Sequence, residues 1–118
     1  MKKTFLEINI KALEHNYFKI KSKIGNQTKL LGVVKANAYG SDLIIIAKKL
    51  EELKIDYLAV AYVNEGVRLR KSGIETPILV FIPQVEDIED IVKYQLQPSI
   101  YSFYFLKNFN LHLIANNI

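Results

Sequence analysis

Cysteine and tryptophan are absent from the 118 residues, and the chain has only three Pro, five Gly and two His. Without cysteine the chain forms no disulfide, offers no thiolate nucleophile and builds no cysteine-ligated zinc site. Two widely separated histidines, His15 and His112, give little support for a metal centre, so we predict no metal. Low Gly and Pro content with 50% hydrophobic residues is typical of a globular domain.

Long hydrophobic runs are missing as well. No segment approaches the roughly 20 apolar residues that a membrane-spanning helix needs. Glu7 interrupts the apolar run that a signal peptide requires after the basic start Met1–Lys3. These features predict a cytoplasmic protein. The net charge of +4 comes from lysines spread over every predicted helix, so we predict no nucleic acid and no membrane as partner.

Segments with the pattern of strands alternate with segments of helical periodicity along the whole chain. The first helix shows this periodicity in Leu13, Tyr17, Ile20 and Ile24, which are spaced by three and four residues. Four predicted helices follow it, each after a predicted strand. The five predicted strands are Thr4–Ile10, Leu30–Lys35, Tyr57–Ala61, Pro77–Ile82 and Gln97–Tyr101.

Polar residues and glycines predict where these helices begin and end. Asn9 is the expected N-cap of the first helix and Gly25 its end. Ser41 or Asp42 caps the second helix, and Ser102 caps the last one. The predicted apolar face of the last helix consists of Leu106, Phe109 and Leu113.

Five strand–helix units predict right-handed crossovers and a parallel sheet. Apolar parallel strands need helices on both faces of an open sheet, or a closed barrel with a packed interior. A complete (β/α)₈ barrel takes about 250 residues, so this chain would supply roughly five of its eight units. We therefore predict an α/β fold, either a small open sheet or an incomplete (β/α)₈ TIM-type barrel.

Lys35 is the residue with the clearest chemical interest, because it ends the second predicted strand and precedes Ala36–Gly40. Active sites of barrels and open α/β sheets lie at the carboxyl ends of parallel strands. Burial there disfavours the ammonium form and yields a nucleophilic amine. Such a lysine can form a Schiff base with an aldehyde cofactor or a carbonyl substrate. The alternative is a side chain that extends past the strand end to solvent.

The string VVKANAYG, Val33–Gly40, resembles the motif that holds the pyridoxal 5'-phosphate (PLP) lysine of the alanine racemases. LEINIKALEHN before it and DYLAVAYVNEGVRLRKSGIETPILV after it resemble successive strands and helices of the same barrel. The resemblance covers essentially all of this chain, which corresponds to about the first third of a typical family member. One departure is Ser41-Asp42, where the family more often has His-Gly; that position is not catalytic in the family.

The resemblance implies an isomerase that interconverts L-alanine and D-alanine and supplies D-alanine for peptidoglycan. Lys35 would be both cofactor-binding and catalytic: it would hold PLP as an aldimine and exchange the Cα proton on the D-alanine face. Tyr39 would bind the cofactor phosphate through its hydroxyl, unless its ring packs under the loop. Gly40 is expected to supply a positive φ in the turn.

The resemblance also implies parts that these residues do not supply. In the family the second base is a tyrosine of a C-terminal β domain that acts across a homodimer interface, and most of the phosphate cradle lies on later strands. Residues 1–118 are thus expected to be the N-terminal part of a PLP-binding (β/α)₈ barrel domain, inactive alone, without the β domain. The alternatives are a non-catalytic PLP-binding or self-associating half-barrel, or a barrel-type PLP amino-acid decarboxylase.

Other charged and aromatic residues have plain structural interpretations. Arg68 and Arg70 lie two residues apart on a short predicted helix and are interpreted as surface charges. The aromatic residues near the end of the chain are interpreted as core with an exposed remainder. These are Tyr101, Phe103, Tyr104, Phe105 and Phe109.

Overall fold

The computed structural model describes residues 3–118, so Lys2 in the basic start of the chain lies outside the described residues. Its strands form one parallel sheet in the order β1-β2-β3-β4. They are β1 (Leu31–Val33), β2 (Tyr57–Val60), β3 (Ile78–Val80) and β4 (Gln97–Pro98). The helices are α1 (Ile10–Ile24), α2 (Leu43–Glu52), α3 (Val63–Lys71), α4 (Ile88–Lys93) and α5 (Phe103–Ala115). A 3₁₀ turn, Val85–Asp87, precedes α4.

The helix ends are those that the sequence predicts. The Asn9 side chain accepts a hydrogen bond from the Ala12 amide at 2.9 Å, and Gly25 ends α1 with φ of 73°. Of the two candidate caps for α2, Asp42 accepts from the Ile45 amide at 2.8 Å. Ser102 caps α5 through the Phe105 amide. Each cap satisfies one of the amides that a helix start leaves without an intrahelical partner.

The core lies between the strands and the helices that cover them. In β2 three successive residues, Leu58, Ala59 and Val60, are fully buried, so both faces of this strand are covered. Helix α2 packs against α1 and α3, and α3 packs against α4. Within residues 3–118 no helix is both long and apolar enough to cross a membrane.

The predicted first strand, Thr4–Ile10, is wrong. Residues 3–9 form neither helix nor strand, and α1 already begins at Ile10. Phe5 and Leu6 are 78% and 65% exposed. An alternating pattern becomes a strand only where a neighbouring strand supplies a hydrogen-bonded ladder, and within the described residues none pairs with this segment. Over residues 3–118 the sheet consequently has four strands, where five strand–helix units were predicted.

The apolar face of α5 also differs in part from the prediction. Phe105 is fully buried, whereas Leu106, predicted to lie on that face, is 42% exposed. Phe109 packs partly buried against the core, and Phe105 and Phe109 are four residues apart, which places them on one face of the helix. The face therefore keeps the predicted Phe109 but includes Phe105 in place of Leu106.

Candidate active site at the carboxyl edge of the sheet

Lys35 lies just beyond the carboxyl end of β1. The strand ends at Val33, and the buried Val34 continues the pairing because its amide donates to the Ala59 carbonyl at 2.8 Å. Lys35 follows as the first residue of a short turn and is partly buried. Among residues 3–118 its amine has no hydrogen-bond or ion-pair partner. The prediction that this lysine stands at the carboxyl edge is confirmed, although the strand stops two residues earlier.

The turn after Lys35 is left-handed. Ala36, Asn37, Ala38 and Tyr39 have φ of 52°, 53°, 51° and 57°, and Gly40 follows with φ of 85°. A non-glycine residue in the left-handed region costs about 1–2 kcal/mol. Four in succession are stable only where other contacts compensate, and such strain concentrates at functional sites. The positive φ expected of Gly40 is confirmed, but the four residues before it were not expected to share it.

Asn37 anchors the far end of this turn. Its Oδ1 accepts a hydrogen bond from the Leu43 amide at 3.1 Å, and its Nδ2 donates to the Ser41 carbonyl at 3.2 Å. Asparagine tolerates the left-handed region better than most residues, because its short polar side chain makes such local bonds. The turn is thereby tied to the start of α2.

Glu65 anchors the near end of the turn. Its Oε1 accepts a hydrogen bond from the Ala36 amide at 2.8 Å. Its Oε2 accepts from the amides of Ala61 at 2.9 Å and Tyr62 at 3.0 Å. One carboxylate on α3 thus joins the chain just after β1 to the chain just after β2. Glu65 was not predicted as a site residue, although a glutamate three positions after a helix N-cap is a known signal for a bond to the N-cap amide, here that of Tyr62.

Tyr39 is on the same turn as Lys35 and is 66% exposed, so its ring does not pack under the loop. Among residues 3–118 its hydroxyl has no hydrogen-bond partner. The two predicted site residues therefore present an unpartnered amine and an unpartnered hydroxyl at one edge of the sheet. This pair fits a cofactor with an aldehyde and a phosphate: the amine is available to the aldehyde and the hydroxyl to a phosphate oxygen.

Comparison with known proteins indicates the family of this chain. The alanine racemase N-terminal domain family matches residues 8–116. The chain belongs to the alanine racemase family. It is 40% identical over 100 residues to the alanine racemase of Thermodesulfovibrio yellowstonii, covering 82% of this chain and 27% of that protein. It is 43% identical over 99 residues to that of Clostridium kluyveri, covering 82% of this chain and 25% of that protein.

Solved alanine racemases share the fold. The alanine racemase of Clostridium difficile 630 superposes with a TM-score of 0.91 and 37% identity, covering 98% of this chain and 31% of that one. The likeness confirms the prediction of an α/β fold that forms part of a TIM-type barrel. The chain spans about a third of the length of these relatives or less.

Arg70 lies at the opposite, amino edge of the sheet and is not the surface charge that was predicted. Its guanidinium donates to the carbonyls of Ile74 and Thr76 at 2.8 Å, of Tyr94 at 3.0 Å and of Gln95 at 3.3 Å. Burial lowers the pKa of Arg70, although the nearby carboxylates oppose this effect. In this racemase-family chain Arg70 thus joins loops, whereas Arg68 on the same helix is exposed.

The aromatic residues near the end of the chain divide as predicted into core and exposed parts. Phe105 stacks between Tyr101 and Phe109, with ring centroids 5.9 Å and 5.8 Å apart. The Tyr101 hydroxyl donates to the Pro83 carbonyl at 2.8 Å. Phe103, in contrast, is 91% exposed. These rings fix α5 to the loop after β3 and take no part in the turn that carries Lys35.

Proposed function

We propose that this chain supplies the cofactor lysine of a PLP-dependent alanine racemase, and that Lys35 is that residue. The observation that carries the proposal is the place of Lys35 just past the carboxyl end of β1, partly buried and with no partner for its amine among residues 3–118. The family match favours racemisation over decarboxylation of an amino acid. Tyr39 is the proposed partner of the cofactor phosphate.

The proposed chemistry divides between cofactor and protein. PLP, when bound, withdraws electron density from the Cα of the amino acid, which makes its proton acidic. Lys35 would hold the cofactor through its amine; once the substrate amine displaces it from the cofactor, the freed Lys35 amine would exchange the Cα proton on the D-alanine face, and a second base would act on the other face. The Tyr39 hydroxyl donates to a phosphate oxygen and so orients the cofactor. The strained turn keeps both residues at the same edge.

The whole reaction needs groups beyond those described. We propose that residues 1–118 act as the N-terminal part of a PLP-binding (β/α)₈ barrel domain. A tyrosine of a separate β domain, across a homodimer interface, would then be the second base. The D-alanine made in the cytoplasm would enter peptidoglycan. The share of the relatives that this chain spans, about a third, supports this division. The 118-residue chain alone should racemise alanine very slowly or not at all.

Chemical trapping tests the lysine assignment. The chain is incubated with excess PLP, reduced with borohydride and mapped by mass spectrometry, and the label on each lysine is counted. We expect Lys35 to carry the largest share. Lys35→Arg should abolish that share, whereas Lys48→Arg, an exposed lysine of α2, should leave it unchanged. A label spread evenly over the lysines, or centred on another one, contradicts the assignment.

Activity tests the reaction type in a longer protein that carries this chain as its N-terminal part. There Lys35→Ala should abolish interconversion of L- and D-alanine. Retention of full activity in this variant rules out the proposed role. Release of CO₂ from a basic amino acid with no racemisation identifies the decarboxylase alternative instead.

A further inference from the structure

We propose that Glu65 is a positioning residue for the cofactor lysine, because its carboxylate holds the left-handed turn that presents Lys35. The inference rests on the proposed function of Lys35. Glu65 is partly buried on α3 and touches no reacting group; it acts through the backbone.

The position of the bond is the first argument. Glu65 Oε1 accepts a hydrogen bond from the Ala36 amide. This amide belongs to the peptide unit that links Lys35 to Ala36. A peptide unit is planar, so fixing its amide direction also fixes the direction of the Lys35 carbonyl. The bond therefore restrains ψ of Lys35 and φ of Ala36, the point where the chain enters the left-handed region.

The chemistry of the acceptor is the second argument. A carboxylate has two acceptor oxygens and no donor, and its bonds to backbone amides are stronger than those of a neutral acceptor. Glu65 uses Oε1 for Ala36 and Oε2 for both Ala61 and Tyr62. Glutamine has only one acceptor oxygen and would turn an NH₂ group toward the remaining amides. Glu65→Gln thus cannot serve both sides.

The division of restraints within the turn is the third argument. Asn37 binds Leu43 and Ser41 and thus acts on the end of the turn that is farther from Lys35. Among the residues that the structure describes, Glu65 is the side chain bonded to the Lys35–Ala36 peptide. Loss of its bond removes this side-chain restraint on the entry to the turn, while backbone bonds such as that from the Ala38 amide to the Val34 carbonyl remain.

Glu65→Gln is compared with Glu51→Gln, since Glu51 also accepts three hydrogen bonds, but at the other edge of the sheet. Amide hydrogen exchange is measured by NMR under conditions where both variants are equally stable overall. We expect Glu65→Gln to speed exchange of the Ala36 amide by about tenfold or more, the effect of one lost charged hydrogen bond. The matched variant should leave it unchanged. Equal exchange at Ala36 in the two variants overturns the proposal.

Trapping of PLP on Lys35 gives the second readout. Glu65→Gln should slow it relative to Glu51→Gln at equal stability, which a merely stabilising role would not do. If the Ala36 amide exchanges faster but trapping of PLP on Lys35 is unaltered, Glu65 has only a structural role, and the proposal that it positions Lys35 is overturned. If the unaltered chain traps no PLP on Lys35, the proposed function fails, and the exchange result alone decides whether Glu65 holds the turn.

A second variant covers the case in which Glu65→Gln does not fold. Adding Ala36→Gly removes the steric cost of the left-handed conformation at the entry to the turn. Recovery of folding by the double variant supports the action of Glu65 through the turn. Failure to recover shows that the whole fold needs Glu65, and this result overturns the proposal.

Discussion

Two carboxylates of similar chemistry hold the two edges of this sheet. Glu65 accepts hydrogen bonds from backbone amides at the carboxyl edge, after β1 and β2. Glu51 acts at the amino edge, before β3. It accepts hydrogen bonds from the amides of Glu75 at 2.8 Å and Thr76 at 2.7 Å, and from the Thr76 hydroxyl at 2.7 Å. Each thus accepts three hydrogen bonds, Glu65 from two loops beside the sheet and Glu51 from one.

The difference lies in the backbone that each carboxylate holds. At the carboxyl edge Glu65 holds Ala36, the first of four consecutive left-handed residues that end at Tyr39, directly after Lys35. The residues that Glu51 holds, Glu75 and Thr76, have ordinary negative φ, and Arg70 reinforces the same edge. Similar hydrogen bonds therefore hold ordinary backbone at one edge and, under the proposed function, the turn that presents the cofactor lysine at the other. This division is common among barrels, whose catalytic groups lie at the carboxyl ends of the strands.

Arg70→Leu should produce the largest effect at the amino edge. It leaves four carbonyls without their charged donor, and we expect a loss of about 2–4 kcal/mol in the free energy of unfolding, measured with urea. Arg68→Leu, at an exposed site of the same helix, should change it by less than about 0.5 kcal/mol.

Arg70→Leu should also leave the carboxyl edge unaffected. At a temperature where the variant remains folded, trapping of PLP on Lys35 should be unchanged, because Arg70 lies at the opposite edge. A stability loss equal to that of Arg68→Leu would contradict the role of the four hydrogen bonds. Slower trapping by folded protein would show that the two edges are coupled.

Acid should weaken the amino edge through Glu51. Burial alone would raise the pKa of Glu51, but hydrogen bonds from Thr76 and Glu75, with the attraction of Arg70, outweigh burial and hold this pKa below its ordinary value of 4.5. The sign follows from linkage: the stabilisation is complete above the ordinary pKa and is lost as the pH falls through the lower value of the folded state.

Glu51→Gln should remove this part of the acid response. We expect it to cost about 1 kcal/mol of unfolding free energy at pH 7, and the difference from the unaltered chain should shrink as the pH falls below 4.5. Urea unfolding at a series of pH values measures both. A difference that stays constant down to strong acid would contradict the assignment of the pKa shift to Glu51.

The regular part of the fold was predictable because it depends on local signals. The caps Asn9, Asp42 and Ser102 and four of the strands stand close to where the sequence predicts them. The segment Thr4–Ile10 has a strand pattern but no partner strand among the described residues, and pairing is a non-local property. β4 is shorter than predicted, at Gln97–Pro98; its Pro98 has no amide to donate.

The candidate site was predictable only in part. Lys35 was found because a lysine that ends an apolar strand is chemically unusual. The left-handed turn was not predicted, since alanines such as Ala36 and Ala38 ordinarily favour a right-handed helix and only Gly40 signals a positive φ. Glu65 is 29 residues from its partner Ala36, so no local pattern joins them. The strained turn and the hydrogen bond from Ala36 to Glu65 that compensates for its strain are thus the features that the sequence alone did not predict.

The smallest predicted effect separates strain at the carboxyl edge from ordinary helix propensity. Ala36→Gly should raise the free energy of unfolding by about 0.5–1 kcal/mol, because glycine adopts φ of 52° without a steric cost. Ala12→Gly, at an exposed site in the first turn of α1, should lower it by up to about 1 kcal/mol. The same substitution thus has opposite signs at the two sites. Destabilisation by Ala36→Gly equal to that of Ala12→Gly would show that the turn stores no strain, and the contrast between the two edges would then rest on Lys35 alone.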